Sequence, residues 1–162
     1  MIVLVRNDDR LVHGQCMTRI VQHFKLQRII VIDDGTASNP ILKLVCEKAA
    51  MGNYKINVYS TADYQKAVAE AITSKFNTMV VFRFPTIARM VFDSFPDQLP
   101  KELMVGPCQV TEGAVEVNTG CFVSKQYAED FNYLQDTYGV ETYFQPTPDM
   151  KKVEWKNIRN KF

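Results

Sequence analysis

The chain has 162 residues, 46% apolar and 23% charged, with a formal net charge of +1. Such a chain is expected to be one soluble domain, residues 1–162, long enough to bury a sizeable core. Near-neutral charge excludes a global field for nucleic acid or anionic lipid, and the lack of any long apolar run excludes a membrane span or a signal h-region, so cytoplasm is the expected compartment.

Ile2-Val3-Leu4-Val5 reads as a short buried strand that runs straight into a charged loop, Arg6 to Gln15. A helical pattern follows from Gly14 to Phe24, with Met17, Ile20, Val21 and Phe24 at helical spacing. Arg28-Ile29-Ile30-Val31-Ile32 is a second strand, ending in Asp33-Asp34-Gly35. Ser38-Asn39-Pro40 supplies a cap and a first-turn proline for a helix to about Met51. Tyr54 to Tyr59 is a third strand, and Ser60-Thr61-Ala62-Asp63 resembles a capping box opening a helix to about Lys75. Thr78 to Phe82 is a fourth strand, with a helix from Pro85 to about Phe95. Leu103-Met104-Val105 is a fifth strand, stopped by Gly106-Pro107. After a less regular stretch with a turn at Gly113, Cys121-Phe122-Val123 is a sixth strand and Ser124 caps a helix to about Tyr138. Val140 to Phe144 is the seventh strand, and from Pro146 the chain becomes an irregular tail holding the only tryptophan, Trp155. The Met and Phe residues of the helices are expected in the core.

This alternation predicts an α/β fold: an open, mostly parallel twisted sheet of about seven strands with helices on both faces. In such sheets the ligand crevice lies beyond the carboxyl ends of the strands. The loops expected to meet there are Asn7 to Gln15, Asp33 to Asn39, Arg83 to Pro85 and Gly106 to Cys108.

Only the first of these loops is dense in reactive groups. It lacks the glycines of a P-loop or a dinucleotide fingerprint, and the chain has no GxSxG elbow. Cys16-Met17-Thr18-Arg19 is too short for the loop of a cysteine phosphatase, and Val12 stands where a phosphoglycerate-mutase motif would place arginine. The four cysteines (Cys16, Cys46, Cys108, Cys121) form no CxxC pair, and His13 and His23 are the only histidines, so no metal and no cofactor are expected. The thiols read as reduced and packed. What remains is His13 as a nucleophile that carries a phosphoryl group, since neutral imidazole offers a lone pair near pH 7. Phosphoryl transfer demands positioning and charge neutralisation. Arg10 could fork onto the phosphoryl oxygens, and backbone N–H groups near Gly14 could cradle them. Asp8 or Asp9 could fix the histidine tautomer or hold Arg10, and Gln15 offers a neutral donor.

The run Arg6-Asn7-Asp8-Asp9-Arg10-Leu11-Val12-His13-Gly14-Gln15 resembles the signature of the phosphotransferase-system (PTS) enzyme IIB subunits of the mannose/fructose/sorbose family. Weaker likenesses follow at Ile29 to Asp34, Leu103 to Gly106, and Tyr138 to Pro146, so the resemblance covers most of the chain. It implies a sugar-specific phosphotransferase. His13 would accept a phosphoryl group from a phosphohistidine on the cognate IIA protein or domain. It would then pass the group to a sugar bound by membrane IIC and IID subunits, with the chain peripherally associated with that transporter. Arg10 would stand beside the phosphohistidine. The chain departs from the family at Ile20, where tryptophan is common, at Pro107, where a second glycine is common, and at Asn7, where an aliphatic residue is usual. Pro107 removes an N–H and could reshape the loop bordering the site.

The remaining site residues divide between chemistry and structure. Arg6 is either a phosphoryl-binding or orienting group or a solvated or salt-bridged residue at the strand end. One of Asp8 and Asp9 is expected to cap loop amides. Asp33 and Asp34 read as helix-start caps, His23 as a surface residue, and Arg83 as a site rim, a docking contact or a surface salt bridge. A non-catalytic α/β adaptor or sensor that binds a phosphorylated partner or small anion in the same loop stays open. So do the sugar, a homodimer, and the imidazole nitrogen that is used.

Overall fold

Period-2 burial builds the sheet. Strand β4 (Thr78–Phe82) is buried at every position; Met79 and Val81 join one core cluster, while Val80 and Phe82 join the other. The same split divides Ile29 and Val31 from Ile30 and Ile32 on β2 (Arg28–Ile32). A strand covered on both faces reads as a continuous apolar run, and each fully buried aliphatic contributes about 1.5–3 kcal/mol. The computed structural model of the chain describes residues 1–50 and 54–162, and only the backbone of Gln15 and Cys16.

The remaining elements are β1 (Ile2–Asn7), α1 (Gly14–Phe24), α2 (Asp34–Ser38), α3 (Pro40–Lys48), β3 (Lys55–Tyr59), α4 (Tyr64–Thr73), α5 (Pro85–Ser94), β5 (Glu102–Val105), β6 (Val115–Asn118), β7 (Cys121–Val123), α6 (Lys125–Tyr138), β8 (Glu141–Phe144) and β9 (Val153–Glu154). They form a seven-stranded sheet in the order β3-β2-β4-β1-β5-β8-β9, parallel throughout except for the antiparallel edge strand β9. Helices α4, α5 and α6 cover one face and α1 the other, where Cys46 of α3 also packs. The expected α/β architecture holds.

Several expectations change in detail. Cys121 to Val123 is a strand, but it pairs with β6 in a separate hairpin, and the seventh strand of the sheet is β9. The tail from Pro146 is ordered. Trp155 is fully buried against Phe131, Phe144 and Phe162, and its indole N–H donates to Asn132 at 3.0 Å. Asn39 caps α3 as expected, accepting from the N–H groups of Ile41 and Leu42, but the helix ends at Lys48; Met51 lies outside the described residues. The short helix α2 was not anticipated. Ser60 donates to Asp63 at 2.6 Å, closing a turn ahead of α4 instead of opening the helix. Strand β1 runs two residues beyond Val5, which places Arg6 and Asn7 inside the sheet. Met90 on α5 is exposed and is not core.

Candidate functional site

Four loops expected to meet beyond the carboxyl ends of the strands do meet. The Asp8 N–H donates to Phe82 O at 3.0 Å, and the Asp9 N–H to Pro107 O at 3.1 Å, joining the β1 loop to β4 and to the β5 loop. Arg83, just after β4, donates to the carbonyl of Asp9 and, through Nε, to Asp33 Oδ1 at 3.2 Å. Pro107 has no N–H to give, and what it contributes here is its carbonyl, which accepts from the Asp9 N–H. A fifth loop, residues 145–150 after β8, joins from beneath. The carbonyls of Gln145 and Pro146 accept from Arg6. Backbone acceptors leave no mark in a sequence, and this loop was not foreseen.

Asp8 sits at the centre of the site. Its Oδ2 accepts from Arg6 Nη2 at 2.8 Å and lies 3.2 Å from His13 Nε2, while Oδ1 accepts the Arg10 N–H at 3.0 Å. Burial pushes the Asp8 carboxyl up, but the His13 hydrogen bond, the Arg6 and His13 charges and the Arg10 amide together outweigh it and hold it below the ordinary carboxylate value. An ionised carboxylate only accepts, so Nε2 must carry the proton of a neutral His13 and Nδ1 holds the free lone pair.

Asp9 does different work. Its Oδ2 accepts the Gln109 N–H, and its Oδ1 is buried with no partner among the described residues. Burial raises its carboxyl, with the Asp8 charge adding to the effect and the Gln109 amide and Arg83 opposing it. Asp9 thus ties the β1 loop to the β5 loop, and both aspartates cap a loop amide, Asp8 that of Arg10 and Asp9 that of Gln109. Asp33 caps α2 by accepting from the Thr36 N–H at 2.8 Å and the Thr36 hydroxyl at 2.6 Å. Burial opposes its ionisation, but the Thr36 hydroxyl and amide and Arg83 hold it below its ordinary value. Asp34 accepts from Thr61, and Arg83 is a rim clamp binding three loops.

The β1 loop turns at Leu11, which takes a left-handed backbone (φ 54°) with its side chain in the core and its N–H on Asp8 O at 2.9 Å. That fold-back turns Arg10 outward and brings His13 back over Asp8. The Arg10 guanidinium is exposed and makes no hydrogen bond among the described residues. His13 is the N-cap of α1 and makes no side-chain capping bond, and no acidic residue stands in the first turn. The helix therefore presents uncapped N–H groups beside the imidazole. Gly14 begins this helix in open space; the Gln15 side chain lies outside the described residues.

Arg6, expected among the groups that bind or orient a phosphoryl, cannot touch one. It is fully buried and acts only on Asp8 and the 145–150 loop. A Cβ built on Gly106 would lie 2.2 Å from Arg6 Nη2 and 2.7 Å from Asp8 Oδ2, so glycine is required there. Asn7 is fully buried at the end of β1, with Nδ2 3.9 Å from Cys108 Sγ. Ile20 is a core residue of α1, and His23 is exposed. Burial pushes the Cys121 thiol up to about 12 and also raises that of Cys108, so both are inert packing groups. Among the described residues no cluster of His, Cys, Asp or Glu could hold a metal ion, and no helix is long and apolar enough to cross a membrane.

Comparison with known proteins gives the family of the chain. The family described as "PTS system sorbose subfamily IIB component" matches residues 2–162. The chain is 31% identical over 119 residues to the sorbose-specific EIIB component of Lacticaseibacillus casei, covering 73% of this chain and 71% of that one. It is 28% identical over 158 residues to the fructose-specific EIIB component of Bacillus subtilis, covering 97% and 94%. The crystal structure of manxB from Thermoanaerobacter tengcongensis superposes with a TM-score of 0.88 at 26% identity, covering 100% of this chain and 96% of that one. The chain belongs to the sorbose subfamily of IIB components of the phosphotransferase system.

Proposed function

We propose that His13 carries the phosphoryl group between a phosphohistidine of a IIA protein or domain and a sugar held by membrane IIC and IID subunits. The observation that carries this reading is the hydrogen bond of His13 Nε2 to the buried, ionised Asp8, which leaves Nδ1 as the nucleophile. In the first step Nδ1 attacks phosphorus, the donor's P–N bond breaks, and the donor imidazole leaves with its electron pair. In the second, a sugar hydroxyl oxygen bonds to phosphorus, the P–Nδ1 bond breaks with its electron pair returning to His13, and the hydroxyl proton passes to solvent, leaving His13 neutral. Asp8 holds the ring through both steps. Arg10, whose exposed guanidinium makes no hydrogen bond among the described residues, neutralises the transferring oxygens, and the α1 N-terminus at Gly14 adds N–H donors. Asp9 and Arg83 fix the loop that carries these groups, and Gln15 lies in the first turn of the same helix. With no membrane-crossing helix among the described residues, the chain would work at the cytoplasmic side, docked on its membrane partners.

The test is incubation with phosphoenolpyruvate, the general phosphotransferase proteins and a IIA protein of this family. An acid-labile, alkali-stable phosphate on the peptide that contains His13, and none on His13→Ala, is the expected result. Equal labelling of His13→Ala and the parent sinks the assignment. Binding of phospho-IIA without transfer would instead make the chain an adaptor.

A further inference from the structure

A buried arginine needs partners that repay its desolvation. Arg6 is fully buried, and its acceptors are one carboxylate and two backbone carbonyls. The carboxylate oxygen it takes, Asp8 Oδ2, is the same atom that meets His13 Nε2. Gly106 forms the wall that lets the guanidinium reach that oxygen, since any side chain there would occupy its place.

This arrangement answers a difficulty in the site. A lone carboxylate 3.2 Å from an imidazole favours imidazolium, and an opposite charge at such a distance shifts a titration by roughly 1–3 units. Imidazolium has no lone pair on Nδ1 and cannot attack phosphorus. Orienting the ring with a carboxylate therefore works against nucleophilicity, unless something offsets the negative charge.

We propose that Arg6 is a positioning residue whose buried charge balances Asp8, so that Asp8 orients the His13 ring without drawing a second proton onto it. Arg10 cannot take this role, because its guanidinium is exposed and screened by water. Of the other charged groups on these loops and on α1, Arg83 is bound to the Asp9 carbonyl and to Asp33, and Arg19 is paired with Asp149 at 2.7 Å. Each cation among these has its own anion or carbonyl. Arg6 alone faces the carboxylate that holds His13. The consequence for catalysis rests on the phosphocarrier reading; the charge balance does not.

The experiment is a ring-nitrogen NMR titration of His13, run beside the pH profile of phosphorylation, with His23→Gln removing the only other histidine signal. In Arg6→Gln the protonation midpoint of His13 should rise by roughly one unit, and phosphorylation should shift to higher pH with it. Arg6→Lys, which restores the charge without the fork, should return the midpoint toward the parent. Asp8→Asn leaves Arg6 unopposed, and the midpoint should fall below the ordinary histidine value of about 6.5. If Arg6→Gln does not fold by circular dichroism, the Asp8→Asn titration decides: a midpoint at the ordinary value overturns the balance. Coincident midpoints in Arg6→Gln and the parent overturn it as well, leaving Arg6 a purely structural residue. Variants that shift as expected beside a parent that takes no phosphate refute the carrier function alone.

Discussion

Replacing Gly106 by alanine should damage both stability and transfer through a single contact. The added Cβ would stand 2.2 Å from Arg6 Nη2, 2.7 Å from Asp8 Oδ2 and 2.8 Å from Arg6 Cζ. Ordinary van der Waals contact needs more than a further ångström, and neither neighbour is free to yield. Arg6 is fully buried and held by Asp8 and Pro146 at 2.8 and 2.9 Å, and Asp8 is held by Arg6, the Arg10 amide and His13. Overpacking of this kind costs about 1–3 kcal/mol, and loosening one charge-assisted bond adds about 1.5–3 kcal/mol. A total of about 2.5–6 kcal/mol lowers the melting temperature of a domain this size by roughly 5–24 °C. Differential scanning calorimetry reads that shift, with Gly35→Ala as the control. The nearest atom to a Cβ at Gly35 is 3.5 Å away, so that variant should melt within about 2 °C of the parent. Residual phosphorylation of folded Gly106→Ala should fall at least tenfold as Asp8 leaves His13. If the two alanine variants melt together, the crowded wall between Gly106 and the Arg6–Asp8 pair is wrong.

Arg10→Ala should slow phosphorylation by roughly ten- to a hundredfold, the loss of one charge-assisted hydrogen bond of about 1.5–3 kcal/mol, while the melting temperature stays put because the side chain has no partner among the described residues. A melting shift of several degrees would mean that Arg10 holds the fold. Asp33 is held below its ordinary carboxylate value, so its stabilisation is present above the unfolded value near 3.8 and fades as the pH falls through the folded one. The melting-temperature gap between the parent and Asp33→Asn should therefore be widest near neutrality and narrow toward pH 3. A gap independent of pH would show that ionisation of Asp33 contributes nothing.

The sequence reports side chains with regular spacing and is silent on backbone. The central parallel strands were legible because they hold apolar runs, β3 because its apolar residues alternate, and the β1 loop because its charges are dense. Cys121 to Val123 has the same apolar character as a sheet strand, and nothing in three residues tells which edge they will meet. Strand β9 has only Val153 and Glu154, too few for any period. Helix α3 turns Glu47 inward, where its carboxylate accepts the Val58 N–H of edge strand β3 at 3.1 Å, and so leaves Ile41, Leu42, Leu44 and Val45 outside. A reading by hydrophobicity would bury the opposite face. At the site, His13, Asp8 and Arg10 announced themselves by type. The 145–150 loop did not, because what it gives Arg6 is two carbonyls.

Two arginines four residues apart in the motif take opposite fates, and the fold decides which. Position 6 lies within β1, paired in register with Val81 and Met104 on the neighbouring strands, so its side chain must stay among the packed layers and can serve only groups already buried. Position 10 lies past the strand end, just before the left-handed turn at Leu11, and its side chain goes to solvent while its amide stays behind on Asp8. A resident charge is best placed against the resident carboxylate, where the low dielectric makes the pairing strong and constant. A cation for the phosphoryl must instead meet a charge that arrives and leaves, and a permanent partner would compete for it. The loop separates the two tasks by the length of one turn. In the proposed mechanism the inner arginine sets the state of His13 before the phosphoryl comes, and the outer one is left free to receive it.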